Sequence, residues 1–116
     1  MYDKNNIFAK IIRGEIPCEK IYEDDKVLFF NDINPVAKVH VLGIPKSDCR
    51  NFSEFIKKND QSTISNFFNK INFVIEKLGI EEDGYKIISN CGINGGQEVP
   101  HFHIHILGGQ KVDLII

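Results

Sequence analysis

The stretch from Pro100 to Leu107 reads Pro-His-Phe-His-Ile-His-Ile-Leu, three histidines two residues apart with apolar residues between them. A period of two predicts a β-strand whose alternate side chains point to opposite faces. His101, His103 and His105 then share one face, and Phe102, Ile104 and Ile106 share the other. The chain has four histidines, so this strand carries all but His40. Such a row can bind a metal, do nucleophilic or acid–base work, or serve as polar surface. Two imidazoles at i and i+2 on a strand can converge on one zinc. Against a metal, Glu98 is the nearest carboxylate and no thiolate pair is evident, whereas zinc ligands are usually oriented by further carboxylates. For acid–base work, close imidazoles cannot all be protonated, because like charges depress one another's proton affinity and titrate as a coupled group. At least one ring is then neutral and nucleophilic near neutral pH, and an anionic substrate would stabilise any remaining imidazolium.

The preceding loop, Asn90-Cys91-Gly92-Ile93-Asn94-Gly95-Gly96-Gln97, suits an anion. Its glycines permit left-handed backbone that turns successive N–H groups into a concavity, and Asn90 and Gln97 add neutral amide donors. The same glycines also suit a plain hairpin turn.

The elements that must position these residues follow from patterning. Asp3 is a candidate N-cap for a short helix through Arg13, with Ile7, Phe8, Ile11 and Ile12 as its apolar stripe. Lys20 to Glu23 and Val27 to Asp32 read as strands joined by an acidic turn. Asn34-Pro35 breaks the run. Lys38 to Pro45 reads as a third strand containing His40, with Gly43 marking a bulge or a close backbone approach. Ser53 to Ile56 suggests one helical turn. The clearest helix runs from an N-cap at Asp60 to Gly79, with Ile64, Phe67, Phe68, Ile71, Val74, Ile75 and Leu78 at helical spacing. Gly84 to Asn90 is a fourth strand and the histidine run a fifth. The order predicts one α+β domain over residues 1–116, built on an antiparallel sheet.

A chain of 116 residues suits a single core, and its net charge of −2 shows no basic stripe for nucleic acid or a membrane surface. No apolar run predicts a signal peptide or membrane span. Cys18, Cys49 and Cys91 are widely spaced and odd in number, which predicts free thiols and a reducing cytoplasm.

The run His101-Phe102-His103-Ile104-His105-Ile106-Leu107 resembles the signature of the histidine triad superfamily, three histidines separated by apolar residues. Similar segments extend over nearly the whole chain. They include Phe8 to Pro17, Glu23-Asp24-Asp25, Asn31 to Pro35, His40, Ile44-Pro45-Lys46, Gly95 to Val99 and Leu107-Gly108-Gly109. The Gly-Gly after the triad resembles the Hint branch, nucleotide-binding proteins that act as nucleoside phosphoramidases. The resemblance implies a five-stranded antiparallel sheet with two main helices and a homodimer that packs the long helices. It implies hydrolysis of the P–N bond in a purine nucleoside monophosphate conjugate, of AMP or GMP, through a nucleotidyl-histidine intermediate. His103 would be the nucleophile, and His105 would contact the phosphate and help protonate the leaving group. His101 and His40 would hold the nucleophile's ring. Asn90 and the backbone of Gly96, Gln97, Glu98 and Val99 would bind phosphate oxygens. Asp32 would accept from the ribose hydroxyls, and Ile11, Ile16, Phe30, Asn31 and Ile33 would line the base pocket.

Two departures stand out. Many Hint relatives bind zinc through an N-terminal cysteine pair and a histidine after the third strand. The matching positions here are Asn6, Ala9 and Asp48, so neither zinc nor another cofactor is expected. Position 98 is glutamate where some relatives have a serine that contacts the leaving group, and the tail Lys111 to Ile116 matches nothing closely, which leaves the preferred leaving group open. A non-catalytic nucleotide-binding scaffold, a dinucleoside polyphosphate hydrolase and a metalloprotein using the histidine row are the alternatives.

Overall fold

The computed structural model describes residues 1–113; the end of the tail, from Leu114, lies outside the described residues. Five antiparallel strands form one sheet in the order β1-β2-β3-β5-β4. They are β1 (Lys20–Glu23), β2 (Val27–Asn31), β3 (Val39–Pro45), β4 (Lys86–Ile88) and β5 (Ile104–Gly108). Among the described residues three helices accompany them, α1 (Ile7–Ile12), α2 (Phe52–Lys58) and α3 (Gln61–Leu78).

Register decides what each face of the sheet carries. Phe29 lies opposite Gly43, and Gly43 opposite Ile104, so these three share one face with Val27, Val41 and Ile106. That face packs under α3 through Phe67, Ile71, Val74 and Ile75, with Phe55 of α2 and Phe102 closing the cluster. The other face carries Leu28, Phe30, Leu42 and Ile44, which pack against Phe8 and Ile11 of α1. His40 and His105 project from this second face, in register with Leu107 and Leu42.

Helix α3 forms as its caps predict: Asp60 Oδ1 accepts from Thr63 N–H at 2.8 Å, and Gly79 closes the far end. Phe68, expected on the buried stripe, is 42% exposed, because the stripe that meets the sheet is narrower than the sequence suggests. Helix α1 begins later than expected. Asn6, not Asp3, is its N-cap, with Oδ1 accepting from Ala9 N–H at 2.9 Å. Asp3 instead accepts from Asn5 N–H at 2.8 Å and forms the turn before the helix. The expected fourth strand shortens to Lys86–Ile88, and α2 is seven residues rather than one turn.

Gly43 is a close approach. A Cβ at this position would lie 2.4 Å from Phe29 Cε2 and 3.2 Å from Ile104 Cδ1. Replacing Gly43 with Ala should therefore cost roughly 1–3 kcal/mol, as overpacking does. Urea unfolding measures the loss, and a Phe29→Leu change in the same chain should recover part of it.

Candidate active site

Residues 101 to 103 enter the site before the β5 ladder begins at Ile104. The alternation predicted for a strand nevertheless persists: Phe102 and Ile104 lie in the α3-side core, and the histidine side chains turn the other way. All three triad residues and His40 are largely removed from water. His101 is fully buried, and His103 is 6% exposed.

The hydrogen bonds fix the tautomer of every ring, because carbonyl oxygens only accept and backbone N–H groups only donate. His103 Nδ1–H donates to the His101 carbonyl at 2.7 Å, which leaves the Nε2 lone pair without a proton. His101 Nε2–H donates to the Pro45 carbonyl at 2.8 Å, so its Nδ1 accepts from the Tyr2 hydroxyl at 2.6 Å. His40 Nδ1 accepts from Val36 N–H at 3.2 Å. Its proton is therefore on Nε2, 2.9 Å from His105 Nδ1 and 3.4 Å from Asp32 Oδ2. His105 accepts that bond and carries its own proton on Nε2. Phe8 meets the His103 ring edge-on with centroids 4.9 Å apart, which limits its rotation.

Burial is the main cause of the electrostatics here, since it disfavours the charged ring. It pushes His101 down to about 4, and His105 down to about 4 with help from its neighbours His103 and His40. Burial also lowers His103 and His40, the latter against the pull of Asp32. All four rings are thus neutral near neutral pH, and His103 Nε2 is a free base.

Two clefts meet over these rings. A cleft of about 410 Å³ is lined by His40, His103, His105, Asn90, Gly96 and Glu98, among others. A larger one of about 760 Å³ is lined by Ile11, Ile16, Phe30, Asn31 and Ile33. Phe8, Asp32, Asn34, Leu42, Glu98 and Val99 line both, so the clefts form one groove with Asp32 at the junction. Ile33 is 91% exposed on the rim, an apolar side chain with nothing over it.

Some assigned residues do different work from that expected. His101 lines neither cleft, and it is its backbone carbonyl that holds the nucleophile's ring. His40 orients His105 rather than His103. The Gln97 amide braces the loop, donating to the carbonyls of Arg50 at 2.6 Å and Val99 at 2.9 Å, while its oxygen accepts from Gly92 N–H at 2.9 Å. The backbone N–H groups of Gly96 and Gln97 donate within the loop as well, at 3.2 and 3.0 Å. Gly95 is required by crowding, since a Cβ there would lie 2.5 Å from the Cys91 carbonyl oxygen. Sequence patterning missed Tyr2, Phe8, Asn34 and Val36 as parts of the site. The helical stripe marks Phe8 as core, which it also is, Asn34 falls in the Asn31 to Pro35 segment without a marked role, and no local signal marks Tyr2 or Val36.

A two-cleft groove over a row of neutral imidazoles, on one face of a five-stranded antiparallel sheet, defines a histidine triad domain. The HIT domain family matches residues 13–112, and the chain belongs to that family. The chain is 40% identical over 109 residues to the purine nucleoside phosphoramidase of Escherichia coli K12, covering 94% of this chain and 91% of that one. It is 51% identical over 106 residues to a HIT-like protein of Helicobacter pylori, covering 91% and 98%. Among solved structures, a histidine triad protein from Clostridium difficile superposes over 100% of both chains at 42% identity with a TM-score of 0.88. A HIT family hydrolase from Clostridium thermocellum covers 98% of both at 42% identity with a TM-score of 0.83.

The positions that hold zinc in many relatives do not fit it here. Asn6 is committed through Oδ1 to the α1 cap and through Nδ2 to the Asp3 carbonyl at 2.7 Å. Ala9 offers no ligand, and Asp48 is exposed. Asp32, His40 and His105 do bring ligand-type atoms within 4.8 Å of one another. Both His40 nitrogens are already bonded, to Val36 N–H and to His105, so a metal there would have to displace that network.

Acid stability follows from the buried rings. His101 and His105 have an ordinary value of 6.5 when unfolded and sit at about 4 when folded. In between, the unfolded chain binds more protons, so stability is full above the upper value and is lost as the pH falls through that window. Tm measured from neutral pH to pH 4 should fall with a slope approaching about two protons. Replacing His105 with Asn should flatten the slope.

Proposed function

We propose that the protein is a nucleoside 5′-phosphoramidase that cleaves the P–N bond of purine nucleoside monophosphate conjugates, AMP and GMP amides. The observation that carries this reading is the fixed tautomer of His103, whose Nδ1–H is held by a carbonyl, which leaves an unprotonated Nε2 on a ring that lines the groove. Similarity to a purine nucleoside phosphoramidase supports it.

In the first step His103 Nε2 attacks the α-phosphorus. The P–Nε2 bond forms, the P–N bond to the amine breaks, and the His101 carbonyl stabilises the positive charge on the ring. The phosphoryl anion offsets the burial that keeps the His40–His105 pair neutral, so the pair takes up one proton with the substrate, on His40 Nδ1 in exchange for the Val36 N–H bond. The departing amine nitrogen takes the proton of His105 Nε2, and the His40 Nε2 proton moves onto His105 Nδ1. In the second step water attacks, the P–Nε2 bond breaks, and the pair accepts the water proton. The products are the nucleoside monophosphate and the free amine.

Asp32 at the junction of the clefts suits the ribose hydroxyls, because a carboxylate only accepts. The wall of Ile11, Ile16, Phe30 and Ile33 suits a purine face, with Asn31 beside it. Asn90 lies at the phosphate end. Since Gly96 and Gln97 use their N–H groups within the loop, backbone donation to phosphate oxygens falls to Glu98 and Val99. The Glu98 carboxylate, lining both clefts, can accept a hydrogen bond from the N–H of the departing amine. The same reading makes the protein a cytoplasmic homodimer that uses no metal. β4 is an edge strand of the sheet, and Tyr85, Ile87 and Phe68 are exposed apolar side chains, which suits pairing with a second copy.

Adenosine 5′-phosphoramidate should be hydrolysed, and His103→Ala should lower kcat by at least about 1,000-fold. Rapid quench followed by intact mass should show one nucleotidyl adduct on the wild-type chain and none on the variant. Full activity in His103→Ala would refute the assigned nucleophile. In a separate measurement, sedimentation of the wild type should give a dimer, and Ile87→Lys should shift it toward monomer.

A further inference from the structure

The segment that delivers the nucleophile is not held by the sheet. Residues 101 to 103 lie before β5, and their backbone makes isolated bonds, His101 N–H to Val99 O and Phe102 N–H to Cys49 O, both 2.9 Å. Ser89 Oγ–H adds a bond to the His103 carbonyl at 3.2 Å, and Phe102 is anchored in the α3-side core, so at residue 101 itself the side-chain hold is the imidazole ring. It is fully buried, lines neither cleft, and so touches no substrate. Its Nε2–H donates to the Pro45 carbonyl at the end of β3, at 2.8 Å. That leaves a buried Nδ1 lone pair, and an unpaired buried acceptor is costly. The Tyr2 hydroxyl satisfies it at 2.6 Å, with the phenol ring meeting the imidazole edge-on at 5.6 Å and 70°. Tyr2 comes from the segment ahead of α1.

We propose that Tyr2 is a positioning residue for His103: its hydroxyl locks the His101 ring between the N-terminal segment and β3, and so fixes the carbonyl that orients the nucleophile. The path is short. His103 Nδ1–H bonds the carbonyl of the residue whose ring Tyr2 holds. A small displacement of residue 101 therefore turns His103 Nε2 away from the line of attack, and a misplacement of about 1 Å can cost roughly 100-fold in rate. Burial raises the proton affinity of this hydroxyl, and Asn6 lowers it and Asp48 raises it further, these being two of the positions that carry zinc ligands in many relatives. In this chain a hydroxyl-to-imidazole bond ties the N-terminal segment to the histidine segment.

The inference rests on the reading of His103 as nucleophile, and its test separates the two. Tyr2→Phe keeps the ring and removes only the oxygen, and circular dichroism checks that the variant folds. With adenosine 5′-phosphoramidate, kcat should fall about ten-fold while KM stays within about two-fold, the pattern of lost orientation rather than lost binding. Nitrogen-15 NMR of the histidine rings should show His101 Nδ1 moving to the position of a free lone pair, and the His103 Nδ1–H proton should shift with it. A lower Tm with unchanged kcat and an unmoved His103 resonance would mean that Tyr2 only stabilises the fold, and the inference would be wrong. If the wild type hydrolyses no conjugate, the nucleophile assignment fails by itself and the ring spectra decide the rest. A displaced His103 Nδ1–H upholds the link from Tyr2, and an unmoved one overturns it.

Discussion

Four imidazoles behind one face of a small sheet stay neutral only if each ring finds a donor for one nitrogen and an acceptor for the other, or keeps one nitrogen at the groove. The protein meets that condition with groups whose roles cannot be reversed. Carbonyls of His101 and Pro45 accept, the Val36 N–H donates, and the remaining protons follow in sequence. The chain of assignments ends on two nitrogens that face the groove in opposite states, a bare lone pair on His103 and an N–H on His105. Burial, by removing the charge, is what lets one residue type play both parts.

That arrangement depends on β3, which serves two faces at once. Val41 and Gly43 face the α3-side core, and His40, Leu42 and Ile44 face the site. Pro45, at its end, supplies the carbonyl that holds His101. The contact of Gly43 with the Phe29 ring therefore bears on the site as well as on the core, because any shift of β3 to relieve crowding there moves His40 and the Pro45 carbonyl with it.

Much of this was legible in the sequence, for identifiable reasons. Helix α3 has both caps and a long apolar stripe, so local and tertiary preferences agree. The histidine run has strict alternation, which is why the faces of Phe102, His103 and Ile104 were predictable even though the ladder starts only at Ile104. Alternation reports side-chain direction and is silent on whether the backbone is paired, and the overlong fourth strand has the same cause. The start of α1 was misplaced because Asp3 and Asn6 are both good capping residues, and only the distance from Asn6 Oδ1 to Ala9 N–H chooses between them. The partners of the rings were the least legible. Tyr2 lies 99 residues from His101 in sequence, and His40 lies 65 from His105. Nothing local records such pairings, nor that the Gln97 amide turns inward to brace its own loop.

The charge balance of the groove constrains any phosphorylated ligand. Among the described residues neither Lys nor Arg lines either cleft, whereas Asp32 and Glu98 line both. A phosphoryl anion entering such a place meets no fixed positive charge. Its stabilisation has to come from N–H dipoles and from protons that arrive with it. The neutral imidazole pair is suited to this, because the charge that burial denies it in the free protein becomes favourable once an anion is beside it. Ligand affinity and proton affinity are then one coupled quantity. In the proposed reaction, the proton that the leaving group requires would be taken up with the substrate rather than stored in the free protein, where burial disfavours it.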